Sequence, residues 1–370
     1  MFSRPAAAAT NGSGRMNNDR LTGACRPIRS EKNCGPPAFQ SRCRRFIRPF
    51  ISSLLSCPFL IACSGVQSTL DPAGREAADV AALFLAMLAG AVVIWAGVAG
   101  LLFYAARQKR GHSEKGAGQL ILWGGAIFPT VVLAALLSYT VWLMPNVRPW
   151  FQGEEGRMRI EVTGEQFWWR VRYLEEGGNV AFETANEVRL PIGERVVFSL
   201  KTPDVIHSFW IPVLGGKMDM IPGRENRLTL LAEKPGTYRG VCAEFCGASH
   251  ALMAFTVHAV EKPAFETWMT ARRASSGAQD AEGLALFLKH GCSACHAISG
   301  TEAQGRIGPD LTAFGERGSV AAGTLPNLEE HIARFIRDPD RIKPKVLMPH
   351  FSMLPEAETD RIAAYLKGLK

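Results

Sequence analysis

Two long uncharged stretches constrain this chain more than any other feature. Val80 to Ala106 is 27 residues without Asp, Glu, Lys or Arg, and as a helix it exceeds the roughly 20 residues needed to cross a bilayer. Gln119 to Leu143 is likewise uncharged, with glycines and Pro129 inside it, which membrane helices tolerate better than soluble ones. The pattern predicts a two-helix transmembrane hairpin, with helices at about 80–106 and 119–143, and bilayer lipid as a partner. Between them lies RQKRGHSEK, in which Arg107, Lys109, Arg110 and Lys115 face the single acid Glu114. The excess of basic residues assigns this loop to the cytoplasmic side. Both ends of the hairpin then lie outside, together with everything after Pro145.

The formal charge of +8 suggests nucleic acid or an anionic surface. However, residues 1–48 hold ten Lys or Arg and two Asp or Glu, so the remainder of the chain is neutral. The basic character belongs to a leader, and nucleic acid is excluded as a partner. After Arg42, Arg44, Arg45 and Arg48 comes FISSLLSCPFLIAC, a basic region followed by a short apolar one, as in a secretory signal. Leu60-Ile61-Ala62-Cys63 also resembles the lipobox of bacterial lipoproteins, which makes Cys63 the expected lipidation site. Cys25, Cys34, Cys43 and Cys57 match no ligand spacing.

From Arg159 the pattern changes to short alternating segments, RIEVTG, FWWRVRYL, NEVRLPIG, ERVVFSL, RLTLLAE, GTYRGVC and ALMAFTVHAV, separated by Gly, Pro and Asn. Period-two alternation with regular turns predicts an all-β sandwich. Within it, VCAEFCGASHALM places Cys242, Cys246, His250 and Met253 in thirteen residues, and His207 lies 35 residues before Cys242. Thiolate, thioether and imidazole donors together favour copper. A disulfide would leave His207, His250 and Met253 without a shared purpose, a zinc site gives no reason for the methionine, and a mononuclear blue-copper site uses one cysteine.

Residues 70–265 resemble subunit II of the haem-copper cytochrome c oxidases, in which a two-helix anchor carries a cupredoxin domain with a binuclear copper A centre. The resemblance implies that Cys242 and Cys246 bridge two copper ions, that His207 and His250 each bind one, and that Met253 and the Glu244 carbonyl complete the set. It also implies a magnesium or manganese ion reached by the Glu244 side chain at the interface with subunit I. GEQFWWRVRY resembles the family's aromatic segment for accepting electrons, here Phe167, Trp168 and Trp169. Two tryptophans adjacent in a strand point to opposite faces, so one of them belongs to packing. Asp204, Asp219 and Arg224 also match family positions. Many relatives carry a glutamate near the start of the second span, whereas no acid occurs here between Lys115 and Pro145.

Further on, Cys292, Cys295 and His296 form the C-x-x-C-H pattern of covalent haem c attachment. Gly308-Pro309-Asp310-Leu311 resembles the turn of class I cytochromes c whose proline carbonyl accepts the axial histidine's hydrogen bond. Met348 in KPKVLMPHF is the expected sixth ligand to the haem iron, with Met353 its local competitor. His290, His331 and His350 are expected to face solvent. Fusion of such a domain to subunit II is known from caa-type oxidases.

The expected organisation is multidomain: leader 1–62, short outer segment 63–79, transmembrane hairpin 80–143, linker 144–158, all-β cupredoxin copper A domain 159–262, linker 263–279 and all-α class I cytochrome c domain 280–370. The expected function is that of the electron-input subunit of a respiratory cytochrome c oxidase in the bacterial inner membrane, holding two copper ions and one covalent haem c. No residue of this chain is expected to be catalytic, oxygen reduction belonging to subunit I. The expected partners are subunits I and III and, as donor, cytochrome c or a cytochrome bc complex. The competing reading is a freestanding haem and copper relay with no oxidase attached.

Overall fold

The computed structural model describes residues 64–107, 114–147, 157–275 and 280–370. The leader with Cys63 and most of the basic connecting loop lie outside the described residues. Helix α1 (Arg75–Arg107) is followed by a second, composite helix: α2 (Glu114–Leu120), a π-helical stretch (Ile121–Ile127) and α3 (Phe128–Val147). The apolar parts of both helices turn their side chains outward, with Trp95, Leu102, Ile121 and Trp142 each more than three-fifths exposed. Neither is a buried core helix, and both are long and apolar enough to span a membrane.

Helix α1 begins several residues before its uncharged run because its first turn is anchored elsewhere. Glu76, 2% exposed, pairs with Arg195 at 2.5 Å and accepts the Leu231 N–H at 3.0 Å. A lone carboxylate would not tolerate that burial; partnered, it ties helix α1 to the β domain that follows.

That domain comprises ten strands: β1 (Met158–Glu165), β2 (Trp168–Leu174), β3 (Val180–Ala185), β4 (Glu187–Pro191), β5 (Arg195–Lys201), β6 (His207–Trp210), β7 (Met218–Met220), β8 (Asn226–Leu231), β9 (Gly236–Cys242) and β10 (Ala254–Val260). They form two five-stranded sheets, ordered β3-β2-β1-β5-β8 and β4-β10-β9-β6-β7. The alternating apolar residues meet between the sheets, where Trp169, Phe198, Phe209 and Phe255 are completely or almost completely buried. Trp169 packs edge-on against Phe209 and Phe255, with ring centroids 5.7 and 5.2 Å away. Phe255 lies across the strand pair from Gly240, and a Cβ on that glycine would fall 2.0 Å from the ring. The ring occupies the space a side chain would need.

Helix α4 (Lys262–Ala274) closes the sandwich, Trp268 packing on Tyr173 and Phe182. The last domain is helical: α5 (Ala281–Lys289), α6 (Glu329–Arg337), the short α7 (Pro339–Ile342) and α8 (Glu356–Gly368), with a two-residue ribbon β11 (Ser319–Val320) and β12 (Leu325–Pro326). Asp280 caps α5 by accepting the Gly283 N–H. Phe287 of α5, Ile332 and Ile336 of α6, and Ile362 and Leu366 of α8 form its core. His290 does not face solvent as expected. It is bonded to Glu358 with its side chain 14% exposed, because the end of α5 abuts α8. His331 is also partly covered, and its Nδ1 lies 3.0 Å from the Pro326 carbonyl.

Candidate metal and haem sites

Strand pairing brings distant donors together at one pole of the sandwich. Phe209 of β6 is paired with Cys242 of β9, and His207, two residues before Phe209, lies on the same face. The chain after Cys242 loops out and returns to β10, closed where the Cys242 N–H donates to the Met253 carbonyl at 3.0 Å. The result is a cluster of donors. Cys242 Sγ lies 3.9 Å from Cys246 Sγ, 3.9 Å from His207 Nδ1 and 3.1 Å from the Glu244 carbonyl. Cys246 Sγ lies 3.6 Å from His250 Nδ1 and 3.8 Å from Met253 Sδ. Both cysteines are free thiols, so no disulfide ties this loop. His207, Cys242, Cys246 and Met253 are all buried.

The surroundings orient these donors. Asp204 Oδ1 is 2.9 Å from His207 Nε2, which leaves Nδ1 free to face the sulfurs. Burial pushes the Asp204 carboxyl up, but hydrogen bonds from His207 and from the Gln166 and Val205 N–H groups outweigh it and hold it at about 2. Burial likewise pulls the His207 imidazole down, but Asp204 and Cys242 carry it up to about 8. The neighbouring Cys246 sulfur draws the Cys242 thiol down to about 3, while Cys242 and burial push the Cys246 thiol up. A metal ion would take both sulfurs as thiolates, so its binding would release their protons. Glu244 is divided: its carbonyl faces the sulfur pair, while its carboxylate is 46% exposed and 3.9 Å from Lys217 Nζ. Asp219 accepts from Ser208 Oγ at 2.8 Å and from Lys217 Nζ at 2.9 Å. With two thiols, two imidazoles, a thioether and a carbonyl, the donor set fits copper.

The second site is a cleft. A helical turn starting at Cys292 brings Cys295 and His296 to its wall. His296 Nδ1 donates to the Pro309 carbonyl at 2.8 Å, and burial holds the imidazole below its usual range, in the neutral form a metal requires. A Cβ on Gly308 would lie 2.5 Å from the ring, which accounts for glycine before Pro309. Leu311, Phe314, Ile332, Ile336 and Leu366 line the apolar wall, and Met348 is on the rim. Met353 is 69% exposed and not among the lining residues. Arg317 also lines the cleft. It is buried, donates to the Asp310 carbonyl, and its Nε has no partner. A buried guanidinium with an unpartnered Nε beside an apolar cleft fits the carboxylates of a haem, as the Cys-x-x-Cys-His set fits its attachment.

The two sites adjoin. Gln166 and Phe167 of the β1–β2 turn and Trp168 at the start of β2 line this cleft, while the Gln166 side-chain amide donates to the Cys246 carbonyl at 2.5 Å. Trp168 is half-buried beneath the Arg170 guanidinium at 4.7 Å, Phe167 is buried against the copper loop, and Trp169 belongs to the sandwich core. Arg170 itself pairs with Glu165 and Glu183 and donates to the Arg306 carbonyl of the haem domain at 2.9 Å. Sequence reasoning did not single out Gln166, Arg170, Arg317 or Lys343.

Residues 147–260 match the family model described as cytochrome c oxidase subunit II, periplasmic domain, and residues 281–370 match that of cytochrome c. Cytochrome c oxidase subunit 2 of Alkalihalophilus pseudofirmus is 34% identical over 330 residues, which is 84% of this chain and 94% of the relative. The chain belongs to the cytochrome c oxidase subunit II family. The Bacillus sp. (strain PS3) subunit 2 is 31% identical, with 71% of this chain and 80% of that one covered. Among solved structures, the periplasmic domain of subunit II of Bradyrhizobium japonicum cytochrome oxidase is 31% identical, covering 31% of this chain and 93% of its own, with a TM-score of 0.29. This subunit II thus has a two-helix anchor, a cupredoxin-like domain and a fused helical cytochrome c domain, the caa-type arrangement. The first family implies copper A and the second implies haem, and the side chains at both sites fit those groups.

Proposed function

We propose that this subunit takes electrons from an outside donor, cytochrome c or a cytochrome bc complex, and delivers them to haem-copper subunit I, where oxygen is reduced. The carrying observation is the convergence of four donor groups, those of His207, Glu244, His250 and Met253, on two free thiols. In this reading Cys242, Cys246, His207, His250, Met253 and the Glu244 carbonyl would together hold two coppers. Cys292 and Cys295 would attach one haem c, and His296 and Met348 would hold its iron. When bound, these groups supply reversible one-electron carriers, first the haem and then the dicopper centre.

The chain's own residues define the path between them. Gln166 touches both the cleft and the Cys246 carbonyl, and Trp168 presents its ring to the cleft, so these two are the proposed electron-receiving contacts. Trp169, in the core beside His207, packs the copper site. Asp204 fixes the His207 tautomer. Pro309 does the same for His296. The outward Glu244 carboxylate suits a magnesium or manganese ion at the subunit I interface. Phe245, 77% exposed on the same loop, suits an apolar contact there. We assign the chain to the bacterial inner membrane, with both outer domains on the periplasmic side and subunit III as a further partner. Purification in mild detergent tests this. Haem c, copper and a polytopic haem-copper subunit are expected together, and recovery of the loaded chain without that partner, under conditions that keep oxidase complexes intact, favours a freestanding relay.

A further inference from the structure

Lys343 is 2% exposed, and among the described residues its amine forms no ion pair. A buried ammonium is costly unless its hydrogen-bonding capacity is used. Here Nζ donates to two carbonyls, each at 3.0 Å. One belongs to Leu252, between His250 and Met253 on the copper loop; the other belongs to Ala321 of the haem domain. The next residue makes a second tie, its carbonyl accepting from Ser249 Oγ of the copper loop at 2.6 Å. Lys343 also lines the haem cleft and begins the segment that leads to Met348. Two short segments, 249–253 and 343–348, therefore carry ligands of different centres and are fastened to each other directly.

We propose that Lys343 is a positioning residue that locks the copper loop to the haem-ligand segment, so that the two redox sites are held as one junction rather than as tethered domains. This rests on the ligand assignment proposed above. A tether alone raises effective concentration but fixes no distance, whereas two hydrogen bonds from a buried amine fix both partner loops. The same contact makes the sites mechanically dependent: ordering the copper loop orders the segment before Met348, and the reverse.

The test uses the full chain in its oxidase complex, haem attached, with copper removed and then added back. In the wild type, added copper is expected to slow amide hydrogen exchange at residues 343–349 by about tenfold or more, the worth of one hydrogen bond from a charged donor. Lys343→Met keeps the apolar stem and removes the amine. It is expected to abolish that slowing and to lower the haem-to-copper transfer rate about tenfold, with copper and haem contents unchanged. Ser249→Ala, a milder variant, is expected to weaken the coupling in part, and it decides the matter if Lys343→Met does not fold. Full coupling in the variants overturns the proposal, as does a rate that falls only in proportion to lost copper or haem. A wild-type complex that takes up no copper on this chain overturns the ligand assignment instead, whatever Lys343 does.

Discussion

Around the copper loop, donor atoms approach one another at 3.1 to 3.9 Å and leave little to fill. Around His296 the walls stand apart, enclosing about 250 Å³. The first site is set at the end of a sandwich core whose aromatic residues pack directly on one another: Trp169 meets Phe209 and Phe255, and Asp204 fixes His207. The second is the core of its own domain. Leu311, Phe314, Ile332, Ile336 and Leu366 belong to that core and also line the cleft, so a large apolar group between them would extend their packing. The same chain thus contains a site that receives its cofactor and a domain that is completed by one.

Breaking haem attachment separates these plans most sharply. With Cys292→Ala and Cys295→Ala, the apolar side chains around the cleft lose the group that would cover them, and the loss of a large apolar group from a core costs a domain about 3–5 kcal/mol. That is a large share of the whole stability of a small domain, about 5–15 kcal/mol. Limited proteolysis is expected to digest residues 280–370 while residues 157–275 resist. Equal resistance of both parts would erase the distinction.

A smaller effect is expected at Asp204. Asp204→Asn leaves the ring of His207 less firmly oriented, and copper affinity is expected to fall about 10- to 100-fold, as for other residues that orient a metal's ligands. Competition with a copper chelator measures this, and the haem absorption bands should not change. An unchanged copper affinity would show that strand geometry alone fixes His207.

The smallest effect is on the stability of the copper-free sandwich. Cys246→Ser prevents a dicopper centre from forming, yet it removes only weak sulfur contacts, so denaturant unfolding of the metal-free chain is expected to shift by no more than about 1–2 kcal/mol. A larger loss would mean that the loop supports the sandwich rather than being carried by it.

What could be read from the sequence follows the same division. Cys242 to Met253 and Cys292 to His296 are short runs in which spacing alone brings chemistry together, and the absence of charge marked the two membrane helices. The contacts that make the sites precise join residues far apart in the chain. Gln166 reaches Cys246 across 80 positions and Lys343 reaches Leu252 across 91. The first exists because the strands of the sandwich converge at one pole and the second because the haem domain docks on the copper domain, and no local pattern encodes either. The aromatic segment shows a finer limit. Phe167, Trp168 and Trp169 are consecutive, and only the register of β2 against β1 and β3 determines that Trp169 enters the core while Trp168 meets the cleft. Helix α1 was legible in type but not in its start, since a charged residue such as Glu76 ends an apolar run while still belonging to the helix.

The measurement that bears most directly on the account is the copper-to-haem ratio of this chain, isolated in detergent from the other oxidase subunits and analysed for bound metal and covalent haem. Two coppers per haem c are expected, with both lost together in Cys246→Ser. One copper per haem, or none, would contradict the dinuclear centre on which the proposed electron path depends.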